Sequence, residues 1–501
     1  MKVKQSSCDG KLPGCSQCVL SGRVCDGYRT NWTFVTQYGP TQYVAPGKKK
    51  NQRVCTRKKE GQLALASHLS EGPCHGTNRA PEGRFGIVMP LPRLYPVQSN
   101  NVDIIELAIQ SFIPGNERSV MYSLSDHEKS RICGSWMETL PGLQNQATAD
   151  SVLSRAIKAL GASIVCQTKQ QGKISSNCSQ TYYAAIRAVR KSFTTALPQA
   201  DLIAAVMCLT LVEVMVPESA VALEAHVKGA GLLLLAYGPE SCQCGVLHKL
   251  FVGFRPLLTM EAFRHRQPIF LSSQAWIDVP FSIYNPSPMQ SLLNEAVIIP
   301  SLLQQIDALL DTPCLTQISE VTETIRSIID VLTRLEKWDM NLRYQSDKPC
   351  YWTQGTTPKT QDPLLWYPNI TMANVFTHLW TFRIICLCEL MRLSLFFPGI
   401  ALEELSRLSG LEISNTVDQI ATLATQICMS MEYLMQDEMK LFGPASTFFP
   451  LQVAHEKLRT YGPNYQGYVT YVEEIVLRLV QKGLRSASIL IFGHNTWNNR
   501  G

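Results

Sequence analysis

No run of 18 or more apolar residues occurs in this chain of 501 residues, so no segment reads as a membrane-spanning helix. The first 25 residues hold no apolar core of signal-peptide length. The loops that carry common chemistries are missing too: there is no Gly-rich phosphate loop, no G-x-S-x-G and no H-E-x-x-H. All-helical enzymes such as prenyl-chain cyclases gather carboxylates around magnesium. The nearest candidate here, Asp437-Glu438, is a lone pair on a helical segment, where solvation is the expected fate. The sequence therefore gives an enzyme no support. Residues 29–100 also lack an apolar heptad, so a coiled coil that would set dimer spacing is not expected there.

Cysteine is plentiful and unevenly placed. Of 17 cysteines, four fall at Cys8, Cys15, Cys18 and Cys25 in the pattern C-x6-C-x2-C-x6-C. Tetrahedral zinc takes four soft ligands, and thiolates on tight loops supply them. Asp9-Gly10, Pro13-Gly14 and Ser21-Gly22 are the turn pairs that such loops need. Lys2, Lys4, Lys11 and Arg23 surround the cysteines with positive charge. The bland reading is a cysteine-rich tail without metal. The other 13 cysteines lie scattered among apolar neighbours, as in Ile385-Cys386-Leu387-Cys388, and are expected to be buried reduced thiols. Cys242-Gln243-Cys244 has a ligand-like spacing but no further His or Cys nearby.

The stretch from Cys8 to Arg29 resembles the DNA-binding module of the fungal zinc binuclear cluster (six-cysteine) transcription factors. Cys8 to Cys15, with Pro13 between, matches the third cysteine, the loop and the fourth. Cys18 and Cys25 match the fifth and sixth, and Lys2-Val3-Lys4 looks like the end of the basic helix before the third. The first C-x2-C pair has no counterpart, and Gln5-Ser6-Ser7 stands where the family has no residues. The resemblance implies zinc, Zn(2+), as cofactor on Cys8, Cys15, Cys18 and Cys25. It also implies DNA contacts from Lys2, Lys4, Lys11 and Arg23. The family shares two metals among six thiolates, and Cys15 is the one bridging position that remains. The absent half carries most of the base-reading helix, so descent from the family is better supported than DNA contact. A further expectation is that sequence upstream of Met1 encodes the missing pair; true loss of that half is the competing account.

Charge follows the same division. Residues 1–60 hold 12 Lys or Arg against three acids, a net +9 out of a total of +6, which leaves −3 for the remainder. A basic head on a mildly acidic body fits a polyanion at the N-terminus only. Frequent Pro and Gly make residues 31–100 a linker that cannot bury a core. Within it lies KKKNQRVCTRKK; Lys48, Lys49, Lys50, Arg53, Arg57, Lys58 and Lys59 suit a nuclear import signal, or else a solvated charge run.

From about residue 101 the apolar period becomes helical. Ile104, Ile105, Ala108 and Phe112 share a face that Pro114 ends, and Ser125 with Glu128 forms a capping box. Leu153, Ile157, Leu160 and Ile164 make an amphipathic stripe, as do Tyr182, Ile186, Val189 and Phe193. Residues 202–215 are apolar nearly all round, which predicts a helix buried on every side. A helix over 219–237 carries small residues that admit a close neighbour, and Gly238-Pro239 ends it. Further helices are expected near 288–311, 317–338, 371–396, 413–435, 444–460 and 468–486. An aromatic, Pro-rich break at 345–368 divides them into two lobes. The segment HVKGAGLLLLAYGP and the spacing Trp276 to Pro280 resemble the helical regulatory region attached to many zinc cluster factors.

The expected architecture is thus mostly α: a truncated zinc-cluster module over 1–30, a disordered linker over 31–100 and a large all-helical regulatory domain over 101–501. His226, His265, His378 and His455 stand singly and are expected to be structural, and Arg264-His265-Arg266 to be a surface cluster. Two readings follow. The first is a nuclear, zinc-dependent, sequence-specific DNA-binding regulator of RNA polymerase II genes, with double-stranded DNA and the transcription machinery or co-regulators as partners and no membrane. The second is a helical interaction protein of the same descent that has lost DNA binding. A gel shift separates them.

Four thiolates complete one tetrahedron and leave no ligands for a second. Native mass spectrometry of the 501-residue chain purified in zinc should find no more than one tightly held zinc per molecule. Two would overturn the ligand count.

Overall fold

The computed structural model describes residues 101–493 apart from 122, 126–127, 130, 147–150, 169–175, 194–198, 218, 312–317, 357–361 and 409–414. The cysteine cluster, its basic flanks and the 31–100 linker lie outside the described residues. The described residues belong to one compact unit, Leu91–Gly501, and are mostly helical, with 80% helix and 3% strand.

The longer helices begin with α1 (Asn101–Phe112), α2 (Val152–Thr168), α3 (Ser176–Ser192), α4 (Ala200–Met215), α5 (Ala220–Tyr237) and α6 (Gly245–His265). They continue with α7 (Pro288–Ala296), α8 (Ile299–Asp311), α9 (Ile318–Tyr344) and α10 (Ile370–Phe396). The last are α11 (Pro398–Leu408), α12 (Thr416–Met429), α13 (Phe448–Thr460) and α14 (Gln466–Gln481). No helix among the described residues is long and apolar enough to cross a membrane.

Helix α4 is the buried rod that its composition predicts: every residue from Leu202 to Met215 is buried. It packs against α2, α5 and α6. Each fully buried Leu, Ile, Val or Met side chain contributes roughly 1.5–3 kcal/mol, so this helix is a main source of cohesion. One charged residue lies inside it. Glu213 is fully buried and accepts a hydrogen bond from Tyr182 Oη of α3, which also meets His226 Nε2 of α5 at 3.0 Å. The last carbonyls of a helix lack internal donors. Here Ser486 supplies them to Val214 O from its Oγ (2.7 Å) and its N (3.3 Å), and Arg485 N reaches Met215 O at 3.4 Å.

Helix α6 joins α4 and α5 to α7 and α8. It contains Pro256, which has no N–H and leaves Val252 O without its helical donor. Gln290 of α7 fills the gap, donating from Nε2 to Val252 O at 2.9 Å. The same glutamine accepts from Arg255 Nη1 at both its backbone O (3.0 Å) and its Oε1 (3.2 Å), while Arg255 Nη2 reaches Asn294 Oδ1 at 2.5 Å. Arg255 is fully buried and lies over the rings of Phe251 and Phe281 at 5.8 and 5.3 Å. Burial pushes its guanidinium down to about 9, so it still carries its proton at neutral pH. Gly253 is required one turn away, because a Cβ there would come within 2.6 Å of Trp136.

The C-terminal helices gather on α10, which contacts α7, α9, α12 and α13. Arg266, at the end of α6, anchors this half to the rest. It donates to Asp307 of α8 (2.6 Å) and to Glu389 of α10 (2.9 Å), and Arg392 closes the group on Glu389 at 2.6 Å.

Several expectations meet the coordinates directly. Ser125 N donates to Glu128 Oε2 (2.9 Å) and Glu128 N to Ser125 Oγ (3.4 Å), which is the capping box. Ile105, Ala108 and Phe112 are buried, as are Leu153, Ile157, Leu160 and Ile164. Gly231 does admit a neighbour, since a Cβ there would lie 2.8 Å from Leu258 of α6. Three expectations are corrected. α3 ends at Ser192, and Phe193 is 52% exposed rather than part of its buried stripe. The 413–435 segment breaks at Ser430 into α12 and a short turn, Met431–Leu434.

The body is also not purely helical. Trp352–Thr356 (β1) and Pro363–Trp366 (β2) pair antiparallel within the 345–368 break, with Trp352 opposite Trp366. Leu364, Leu365 and Tyr367 are buried, and Tyr367 Oη lies 2.6 Å from Ser430 Oγ. Aromatic residues placed where helix formers are scarce make a pinned hairpin in that break.

Gln290→Leu removes the side-chain donor to Val252 O and one of the three acceptors around the buried Arg255, while the backbone carbonyl of residue 290 and Asn294 remain. It should cost roughly 2–4 kcal/mol, because a buried carbonyl loses its donor and a buried cation loses one acceptor. Urea unfolding of the full chain measures this. A loss below about 1 kcal/mol would show that water takes over both contacts.

Candidate functional site

A cavity of about 230 Å³ lies among α4, α5, α6, α10 and α13. That is a little below the range of about 300–1,000 Å³ that holds drug-sized ligands. Its wall is mainly apolar. Leu211 comes from α4, Val227 from α5, Leu257 and Met260 from α6, and Phe448 and Phe449 from α13. Val252, Pro256 and Gln290 also line it, so the network around Pro256 shapes one side.

Polar groups occupy one end: Cys133, Thr371, Asn374 and His378. Asn374 and His378 are four residues apart on α10 and so share a face. Asn374 is 4% exposed; its Nδ2 makes only a 4.0 Å contact with Cys133 Sγ, and its Oδ1 has no partner. His378 Nδ1 lies 2.7 Å from Asn374 O. A carbonyl can only accept, so Nδ1 carries the hydrogen and Nε2 presents a lone pair. That Nε2 has no hydrogen-bond partner among the described residues. Cys133 Sγ lies 3.5 Å from Thr371 Oγ1.

All four groups are neutral. Burial pushes the Cys133 thiol up to about 12, against the lowering effect of its Thr371 contact. Burial pushes the His378 imidazole down to about 4, against the opposite pull of Asn374 O. Charge appears only elsewhere on the lining. Arg131 donates to Asn285 O at 3.1 Å, Glu261 holds His265, and Arg264 is exposed.

A second group lies nearby. Glu224 of α5 and Glu261 and His265 of α6 bring their donor atoms within 4.8 Å of one another, a set of two carboxylates and one imidazole. His265 Nε2 is 2.7 Å from Glu261 Oε1 and 3.4 Å from Glu224 Oε2, and Lys228 pairs with Glu224. These ligand types could hold a divalent ion, but each already has a partner within the protein.

The residues singled out in the sequence fare unequally. Cys8, Cys15, Cys18 and Cys25, Lys2, Lys4, Lys11 and Arg23, and the Lys48–Lys59 run all lie outside the described residues. Arg264, His265 and Arg266 do not act as one surface cluster: His265 and Arg266 are half-buried and each paired with a carboxylate, and Arg264 is exposed. His455 is buried against the Phe492 ring at 4.8 Å. Cys242 is buried and Cys244 exposed, and both are free thiols. Asp437 pairs with Lys482 at 2.6 Å. Asn374 was missed; the signal for it was an amide inside the apolar run MANVFTHLW, one turn before a histidine.

No family model, no curated protein and no solved structure matches the chain.

A histidine held neutral near pH 4 in the fold but near 6.5 when unfolded favours unfolding in acid. Below pH 6.5 the unfolded chain binds a proton that the folded chain refuses. The contribution of His378 is therefore complete above about pH 6.5 and is lost as pH falls toward 4, a total of ~3 kcal/mol. Unfolding free energy between pH 4.5 and 6 should vary with pH about 1.4 kcal/mol per unit less steeply in His378→Gln than in wild type. Equal slopes would mean that the ring is not held neutral.

Proposed function

We propose that this chain is a nuclear, zinc-dependent, sequence-specific DNA-binding regulator of RNA polymerase II transcription. The observation that carries the reading is C-x6-C-x2-C-x6-C at Cys8–Cys25, set among Lys2, Lys4, Lys11 and Arg23. In this reading zinc folds the cysteine loops and the flanking cations meet phosphate. The basic run at residues 48–59 directs nuclear import, and the helical body meets co-regulators or the transcription machinery. The concentration of positive charge in the first 60 residues supports a polyanion partner at that end alone.

One observation favours a second reading. Gln5-Ser6-Ser7 separates Lys4 from Cys8, where the module that this stretch resembles has no residues, so the basic segment is displaced from the cysteine loops. A chain with that departure acts through its helical body as an interaction protein.

Gel shifts of the full chain on a pool of double-stranded oligonucleotides, at 50 and 200 mM salt, separate the two. A regulator that neutralises several phosphates binds at low salt and weakens steeply as salt rises, and loses binding on zinc chelation. No binding at 50 mM salt, with zinc present, would exclude the DNA-binding reading and leave the interaction protein.

A further inference from the structure

The cavity at Asn374 and His378 has the marks of a site waiting for an occupant. Its wall is mainly apolar, and its polar end holds a buried amide oxygen without a partner beside a histidine lone pair. A buried amide oxygen without a partner costs roughly 1–3 kcal/mol. Here that cost falls on Asn374 Oδ1, which is buried and unpartnered. The His378 lone pair sits one helical turn away on the same wall. Asn374 is a polar residue in an otherwise apolar stretch, since Ala373, Val375 and Phe376 are all buried.

The chemistry of the occupant follows from these groups. An anion or cation would be desolvated against neutral partners, which is costly. A purely apolar guest would leave Nε2 and Oδ1 unpaired. With the Asn374 amide turned so that Oδ1 faces the Cys133 thiol and Nδ2 faces the guest, one hydroxyl serves both residues, donating to His378 Nε2 and accepting from Asn374 Nδ2. We propose that this cavity is the binding site for a small, uncharged, largely apolar alcohol or phenol, whose hydroxyl sits between Asn374 and His378. The body of the guest lies against Leu211, Val227, Leu257 and Phe449. Helices α4, α5, α6, α7, α10 and α13 all line this volume, so occupancy ties α4, α5 and α6 to α10 and α13. The proposal stands independently of DNA binding, since it concerns the helical body alone.

The test is calorimetric titration of the full chain at pH 7 with 2-naphthol, in the absence of DNA. 2-Methoxynaphthalene serves as a matched probe that has the same ring system but no hydroxyl donor. One saturable site for 2-naphthol is expected, with 2-methoxynaphthalene weaker by about tenfold, the worth of one good buried hydrogen bond. In Asn374→Leu that preference should shrink, while the ligand-free variant melts at or above the wild-type temperature because an unpaired amide has gone. Val227→Trp should fill the space and abolish binding of both probes.

Three outcomes would overturn the proposal. No saturable binding of either probe means the volume is not a ligand site. Equal affinity of the two probes for the wild-type chain means the polar end recognises nothing. Undiminished binding in folded Val227→Trp places the guest elsewhere. The wild-type comparison decides the matter even if a variant fails to fold, and a destabilised Asn374→Leu would show that the amide serves the fold rather than a guest.

Discussion

A positive charge buried without a carboxylate governs the middle of this molecule. Arg255 could be neutralised by an acid, but it is held by an amide oxygen, a backbone carbonyl and Asn294 instead. Two aromatic rings add the electrostatic attraction of their faces. Such a solvation shell is built from dipoles that must be oriented in advance, so it exists only when α6 and α7 are in register. Pro256 tightens the requirement, since it frees the Val252 carbonyl that Gln290 must also serve. One residue thus makes three of these contacts, two through its side chain and one through its backbone carbonyl, and the helices cannot slide past each other without breaking all of them. The arrangement also fixes a wall of the cavity, because Val252, Pro256 and Gln290 face it.

Charge is kept from the polar end of the cavity. At the end of α6, Arg266 meets Asp307 and Glu389 in a network that Arg392 completes. The cavity end at α10 holds neutral groups, its thiol and imidazole kept so by burial. A low-dielectric pocket next to an ion network keeps its character only if the ions are satisfied among themselves. Glu261 is one residue where the two regimes touch: it lines the cavity yet gives its carboxylate to His265.

Much of the helical body can be read from the chain, and the reasons differ by element. α4 was legible because a helix buried on every face has no polar stripe to obscure it. α2 was legible because a single apolar face repeats at the helical period. α6 was not. Its internal proline argues locally against a helix and its buried arginine interrupts the apolar face, and both are satisfied by α7. The hairpin at Trp352–Trp366 was hidden for a related reason. Its register depends on aromatic packing against Phe376, Trp380 and Tyr433, far away in sequence. Of the candidate sites, the cysteine spacing is a matter of local sequence and lies outside the described residues. The Asn374–His378 pair could be seen as an i,i+4 pattern. Its missing partners could not, because an unsatisfied atom is a property of the packed core.

The capping of α4 by Arg485 and Ser486 has a consequence for how the chain is made. The contact between Ser486 and Val214 spans 272 residues. During synthesis the most apolar helix of the body emerges long before the segment that satisfies its last carbonyls. At about 5–20 residues per second, that interval lasts roughly 14–54 s. Through that time a mostly apolar rod has an unfinished end and only part of its covering. Contacts of such separation slow folding and lengthen the exposure of sticky surface. The body is therefore completed from its far end, and a break in the chain before residue 485 leaves its central helix open.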